Sequence, residues 1–392
     1  MTEHPGYELI SADAHVIEPG DLFASRLPAG MRERAPKLEP WNGGSAWFVD
    51  DIQPVPFVAS TTTGSGYRVD HRRDVEAAVA FDEVMPALYD PVQRVKAQDA
   101  DSVSAEVLYG YPYLWDAIKQ VDDAEFRLEC ARAYNDWIAE FCSHDPNRLI
   151  GVGKVPTSSI DDARKELVRC IDELQLRGAA IDAWPDDSTG PADPSLDAIW
   201  EVANDAAIPV SLHYGLGESR SAPTAGITAG MKPPMSNAAL PMTASGVFDR
   251  FPNVRMVFAH GDAGWAFFWL EFFDNTYLRQ RHLEFYKLER QDVFPSEYIR
   301  RHFWFTVQHD RTAVKHRHVF GTDHLLWASH FPLDASDWPD DRSQAMRVTE
   351  EVLPEDKHAI LAGNAARLYR LPGYEEGLAP TPFESVERLV HI

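Results

Sequence analysis

The chain has 392 residues, with 37 Lys and Arg against 61 Asp and Glu, for a formal net charge of −24. So acidic a surface repels nucleic acid and anionic membranes, which argues against both as partners. Hydrophobic residues make up 44% and aromatic residues 11%, enough for a substantial core, and the length fits one large α/β barrel or two average domains. The N-terminal MTEHPGYELI has no charged stretch followed by an apolar one, and no apolar run reaches about 18 residues, so neither a signal peptide nor a membrane span is expected. Cys130, Cys142 and Cys170 show no CxxC spacing, which fits a reducing cytoplasm and no disulfide framework.

Short strand-type runs recur along the chain. In order they are YELISADAH (ending at His15), SAEVLYG (104–110), RLIGVGKVP (148–156), RGAAIDAW (177–184), IPVSLHYG (208–215), NVRMVFAHG (253–261), HFWFTVQ (302–308) and LLWASH (325–330). They are almost continuously apolar, as strands buried on both faces of a parallel sheet are. Amphipathic segments lie between them, among them 123–144, 159–176 and 264–286, and the serine and aspartates of SSIDDARKEL are suited to capping a helix. Eight such alternations predict a (β/α)8 barrel. An open doubly wound sheet is the other possibility, but ADAHVIEPG stands after the first strand where a glycine-rich phosphate loop would be. Residues 1–372 are read as the barrel. The stretch 20–88, with SAWFVDDIQPVPFV as a hairpin, is read as an inserted cover over the barrel mouth, and 373–392 as a C-terminal arm.

In a barrel, side chains at the C-terminal strand ends converge on one site. Here those ends hold Asp13 and His15 (first strand), His213 (fifth), His260 (sixth) and His330 (eighth). Residues two apart on a strand face the same way, so Asp13 and His15 can address one point. Imidazole and carboxylate groups suit Zn²⁺ first, with Mn²⁺ or Fe²⁺ as alternatives. Arg72, flanked by Arg68 and Arg73, can clamp a substrate carboxylate through paired hydrogen bonds. Trp184, Tyr214 and Trp338 can line a pocket for a flat substrate, as can Tyr109 and His309. There is no G-x-S-x-G elbow, phosphate-binding GxxxxGK[ST] or HExxH.

Several stretches, taken together and in order, resemble the amidohydrolase-related superfamily, in particular its aminocarboxymuconate semialdehyde and resorcylate decarboxylase branch. They are ISADAHVIEPGDLF (10–23), YDPVQRVKAQDADSVSAEVLY (89–109), AYNDWIAEFCSHDPNRLIGVGKVP (133–156), GVFDRFPNVRMVFAHGDAGW (246–265), LLWASHFP (325–332) and GNAARLYRL (363–371). The resemblance implies that Asp13, His15 and His213 bind a metal and that His260 orients or activates the metal-bound water or the substrate. It also implies a homodimer. One position departs: His330 stands where the family pattern SDxPH has its aspartate, and Leu333 where that pattern has histidine. That aspartate is both a metal contact and the proton-transfer group. His330 is accordingly open to three readings: a replacement ligand, a proton-transfer or substrate group, or the mark of a site that has lost its metal.

The leading expectation is a cytoplasmic, metal-dependent, non-oxidative decarboxylase of a small cyclic or aromatic acid. Its catalytic residues would be His260 and His330, and its metal ligands Asp13, His15, His213 and His330. Hydrolysis of a lactone, ester or amide is the alternative. A barrel that has lost its metal and serves as a binding protein is the third possibility.

Overall fold

The computed structural model describes residues 7–62, 77–181, 190–213, 233–290, 292–333 and 335–378. The strands are β1 (Ile10–His15), β2 (Lys37–Trp41), β3 (Gly44–Phe48), β4 (Val55–Pro56), β5 (Ala105–Tyr109), β6 (Leu149–Lys154), β7 (Gly178–Ile181), β8 (Pro209–His213), β9 (Arg255–Ala259), β10 (Phe303–Val307) and β11 (Leu325–Trp327). Eight of them form one sheet in the order β1-β5-β6-β7-β8-β9-β10-β11, and every pair is parallel. All eight coincide with the apolar runs in the sequence.

Hydrogen bonds just past β11 join it to β1. Ser329 N donates to Ser11 Oγ at 2.9 Å, His330 N to the Asp13 carbonyl at 3.0 Å, and His15 N to the Phe331 carbonyl at 2.7 Å. The sheet therefore closes into a barrel, with helices packed around it. Ile10, Ala12, Val107, Tyr109, Ile150, Val152, Ala180, Val257, Trp304 and Leu326 fill its interior, and Tyr369 from the C-terminal helical segment packs at its floor. Among the described residues, no helix is long and apolar enough to cross a membrane.

Local chemistry starts several of the helices. Asp90 caps Pro91–Asp101 by accepting from Val92 N at 2.8 Å, with Pro91 at the first helical position. Ser159 caps Ile160–Asp172, as its sequence suggested. Arg94, fully buried, ties the first of these helices to the barrel rim. It donates to Glu106 Oε2 at 2.6 Å and to the His15 carbonyl at 2.7 Å, and its guanidinium lies 4.7 Å from the Phe331 ring centroid.

Within 20–88, β2, β3 and β4 form an antiparallel sheet, and β3–β4 is the hairpin read from the sequence. The sheet packs through Trp47 on Phe23 (5.8 Å), which in turn meets Trp115 (6.5 Å) outside the insertion, and is followed by Phe57 edge-on to Tyr111 (5.7 Å). Thr61 Oγ1 meets the Tyr111 hydroxyl at 3.0 Å. At the other end, Arg255 Nη2 donates to the Leu378 carbonyl at 2.6 Å, which ties down the start of the C-terminal arm. Residues 379–392 of that arm, and the 63–76 part of the insertion, lie outside the described residues.

Candidate metal centre

The register between β1 and β5 shifts between Ser11 and Ala14. Such an irregularity inserts a residue into the pleat and re-aims the side chains after it. Ile10 and Ala12 face the barrel interior, whereas Ala14 packs into the outer cluster. Asp13 and His15 thereby both turn into the mouth. Ser11 fixes the irregularity: its hydroxyl donates to the Asp13 carbonyl at 2.8 Å.

Asp13 lies among four imidazoles, and its two oxygens face different pairs. Oδ1 is 3.2 Å from His15 Nε2 and 3.5 Å from His213 Nε2. Oδ2 is 3.1 Å from His330 Nδ1 and 3.5 Å from His260 Nδ1. Asp13 and His15 are wholly buried, His213 and His330 nearly so, and the His260 side chain retains 16% exposure. The centre is thus reached from the His260 side.

The ligand atoms of Asp13, His15, His213 and His260 lie within 4.8 Å of one another, a grouping able to hold a metal ion. His330 is not in that group; its ring packs on His260 with centroids 4.0 Å apart. Asp13 Oδ1 and His15 Nε2 are buried and make no aligned hydrogen bond to each other or to anything else among the described residues. Polar atoms left so in the interior cost free energy unless a further partner is present, and a cation between them supplies one.

The protonation states agree with such a partner. Burial pushes the Asp13 carboxyl up, but His213, His330 and His15 outweigh it and hold it well below the usual carboxylate range. Burial lowers His15 to about 4, and burial with the neighbouring His330 holds His260 well below its ordinary value. The result is one carboxylate with neutral imidazoles at His15 and His260, the form that binds metal. His15 Nδ1 faces the Gly110 carbonyl at 3.2 Å, which leaves Nε2 for the ion.

His260 (φ 58°), Asp262 (φ 50°) and His330 (φ 56°) all have left-handed backbone. That conformation is costly for residues with a Cβ and concentrates at functional sites. Here it turns two imidazoles inward where their strands end.

The remaining sequence candidates fare differently. Arg68, Arg72, Arg73, Trp184 and Tyr214 lie outside the described residues. Trp338 packs on Phe331 (5.5 Å) and turns its indole N–H to the Ala97 carbonyl at 3.5 Å, on the helix Pro91–Asp101. That places Trp338 against the His330 loop. Its place two residues after Ser336 gave no hint of the direction it takes. Tyr109 sits below the imidazoles, 5.0 Å from the His213 ring, with its hydroxyl on Ser211 Oγ at 2.8 Å. His309 pairs with Asp337 at 2.7 Å.

Two residues stand out more in the structure than in the sequence. Glu18 is fully buried and accepts from Trp115 Nε1 at 2.8 Å and from Tyr111 N at 3.3 Å. A Cβ on Gly110 would come within 2.5 Å of its Oε1, so only glycine fits between Glu18 and the carbonyl that faces His15. Lys154 ends β6 inside the rim, and strand alternation alone could have flagged it.

With the site's geometry established, comparison with known proteins gives a consistent picture. Residues 94–371 match the amidohydrolase family (Amidohydro_2), and the chain belongs to that family. It is 27% identical over 316 residues to 2-amino-3-carboxymuconate-6-semialdehyde decarboxylase of Dictyostelium discoideum, covering 77% of this chain and 84% of the relative. Its fold matches that of an amidohydrolase from Mycobacterium avium subsp. paratuberculosis K-10 (TM-score 0.73, 16% identity, 93% of this chain and 98% of the other). It also matches 5-carboxyvanillate decarboxylase from Novosphingobium aromaticivorans, complexed with manganese and 4-hydroxy-3-methoxy-5-nitrobenzoic acid (TM-score 0.67, 17% identity, 93% and 97%).

The Glu18 environment gives a testable pH dependence. Burial raises its carboxyl from 4.5 to about 7, against the two hydrogen bonds it accepts. A raised acid pKa means that folding favours the protonated form. The cost of ionising it is absent below the unfolded value, grows as pH rises and is complete above the folded one. Metal-free wild-type protein should therefore lose stability relative to Glu18→Gln between about pH 4.5 and about pH 7, read from urea unfolding across that range. Parallel stability curves for the two proteins would contradict this.

Proposed function

We propose that this chain is a metal-dependent, non-oxidative decarboxylase of a small aromatic or cyclic carboxylic acid. The observation that carries the reading is the donor cluster of Asp13, His15, His213 and His260 at the mouth of an amidohydrolase barrel. Decarboxylases recur among both the sequence relatives and the structural neighbours, which favours decarboxylation over hydrolysis and over a metal-free binding protein.

Asp13 Oδ1, His15 Nε2 and His213 Nε2 would hold a divalent ion, with His260 Nδ1 beside them. The three-nitrogen, one-oxygen set suits manganese, which two of the neighbours contain, as well as zinc. When bound, the ion supplies Lewis acidity that neutralises the substrate's carboxylate and an adjacent oxygen.

The residues of the chain supply orientation and the proton. His330 Nδ1 is held by Asp13 Oδ2, which fixes the ring and leaves Nε2 to carry a proton. The bond between ring carbon and carboxylate breaks, and CO₂ leaves. The electron pair stays on the ring carbon and takes the proton from His330, which solvent then replaces. His260, packed on His330 with the rings tilted by 45° and the more exposed of the two, orients the substrate. In this reading His330 performs the proton transfer that an aspartate performs in its relatives. The insertion 20–88, anchored through Phe57 and Thr61 on Tyr111, serves as the cover of the mouth.

His330→Asn tests the assignment, with CO₂ release from 2,6-dihydroxybenzoate and 5-carboxyvanillate as the assay. Loss of general-acid catalysis should lower turnover by about 100-fold or more while metal content is unchanged. Loss of metal together with activity would make His330 a ligand instead. Turnover without CO₂ release by the wild type would favour the hydrolase.

A homodimer is part of the same reading. Phe268, Phe272, Leu278, Leu283 and Phe285 are exposed along and just after the helix Ala266–Gln280, an apolar surface unusual for a monomer. Light scattering should give twice the chain mass, and Phe268→Glu with Phe272→Glu should reduce it to the mass of one chain. A wild type with the mass of one chain would refute the dimer.

A further inference from the structure

His330 has left-handed backbone (φ 56°), and a histidine keeps that geometry only where its surroundings impose it. On one side the restraint comes from β1. Ser11 Oγ accepts from Ser329 N at 2.9 Å and meets the Ser329 hydroxyl at 3.0 Å. On the other side it comes from β10. Phe303, Phe305 and Val307 of that strand pack in the outer layer, and Trp304 faces the barrel interior. Alternation therefore puts Gln308, the residue that follows β10, on the inward-facing set at the mouth.

Gln308 is buried, and its Nε2 donates into the His330 loop. It faces the Ala335 carbonyl at 2.6 Å, the Ser329 carbonyl at 3.2 Å and Asp337 Oδ2 at 3.3 Å. A side-chain amide nitrogen carries two N–H donors and no charge. It can therefore tie the loop on both sides of His330 without adding a cation beside the metal centre. A carboxylate in its place could not donate to these oxygens. The next residue, His309, pairs with the same Asp337 oxygen at 2.7 Å, so Asp337 is itself held where Gln308 meets it.

β10 stands between β9 and β11 in the sheet, so Gln308 lies between the strand ends that carry His260 and His330. Its backbone N donates to Asp262 Oδ1 at 3.3 Å, in the turn that follows His260. One residue thus reaches both turns, the His260 turn by its backbone and the His330 loop by its side chain. The centroids of the two imidazole rings lie 4.0 Å apart. Replacing the Gln308 side chain removes the hold on His330 and leaves the backbone bond to Asp262 in place.

We propose that Gln308 is the positioning residue for His330: its amide N–H groups hold the loop so that the imidazole stays on Asp13 Oδ2, aimed to deliver its proton. This rests on the reading of His330 as the proton donor above.

Gln308→Leu in the full-length, manganese-loaded protein tests it, with Gln308→Glu as a second variant that keeps the size and loses the donors. For CO₂ release from 2,6-dihydroxybenzoate, kcat should fall about 10- to 100-fold, with KM and manganese content unchanged. In a His330→Asn background the same substitutions should change kcat by less than about 2-fold, because the side chain through which Gln308 acts is already gone. Crystal structures of the variants should show the His330 ring displaced by about 1 Å or more from Asp13 Oδ2, with the His260 turn in place. Equal losses in the two backgrounds, or a His330 that keeps its place in a folded variant, would overturn the proposal. A wild type that releases no CO₂ removes the decarboxylase reading, and the displacement of His330 then decides this inference alone. CO₂ release at the wild-type rate in folded Gln308 variants keeps that reading and removes this inference.

Discussion

A carboxylate with no access to solvent persists only where charge and hydrogen bonds replace the water it has lost. Asp13 meets that condition only in part: four imidazoles surround it, two on each oxygen, yet Oδ1 makes no aligned hydrogen bond among the described residues. Much of the rest of the barrel mouth serves to keep those rings in place. A carboxylate ringed by imidazoles would be an expensive way to fill a core, and hydrophobic side chains of similar volume would pack more stably. The arrangement makes sense as a site that gives up stability for a divalent ion. The left-handed backbone at His260 and His330 is part of the same cost.

The constraint reaches outward through the backbone. The irregularity in β1 lets Asp13 and His15 face inward together, and Ser11 holds it by bonding both to the Asp13 carbonyl and to Ser329. Those bonds also close the barrel between its first and last strands. Arg94 adds a second brace from behind, linking the His15 carbonyl, Glu106 and the Phe331 ring. Barrel closure and metal-site geometry therefore depend on the same few contacts.

The barrel was legible in the sequence because each strand is buried on both faces, so each reads as an unbroken apolar run ending where the chemistry begins. The four histidines and Asp13 were legible for the same reason. The pairing among them was not. Position along the chain gave His260 and His330 equivalent places at strand ends, and only the geometry puts His260 in the donor cluster and His330 on the other oxygen of Asp13. Trp338 was expected at the pocket because an aromatic in a rim loop often is there; its contacts with Phe331 and with a helix more than 230 residues earlier in the chain could not be read from its position. Lys154 was missed because a single lysine closing RLIGVGK reads as the polar end of a strand.

The central claim is that Asp13 and its histidines form a metal centre with His330 beside it rather than in it. The most direct measurement is a crystal structure of manganese-loaded protein with anomalous data collected at the manganese edge. The account predicts one anomalous peak within about 2.0–2.3 Å of Asp13 Oδ1, His15 Nε2 and His213 Nε2, with His330 outside bonding distance. A peak bonded to His330, or no peak at these residues in protein that binds manganese, would contradict it.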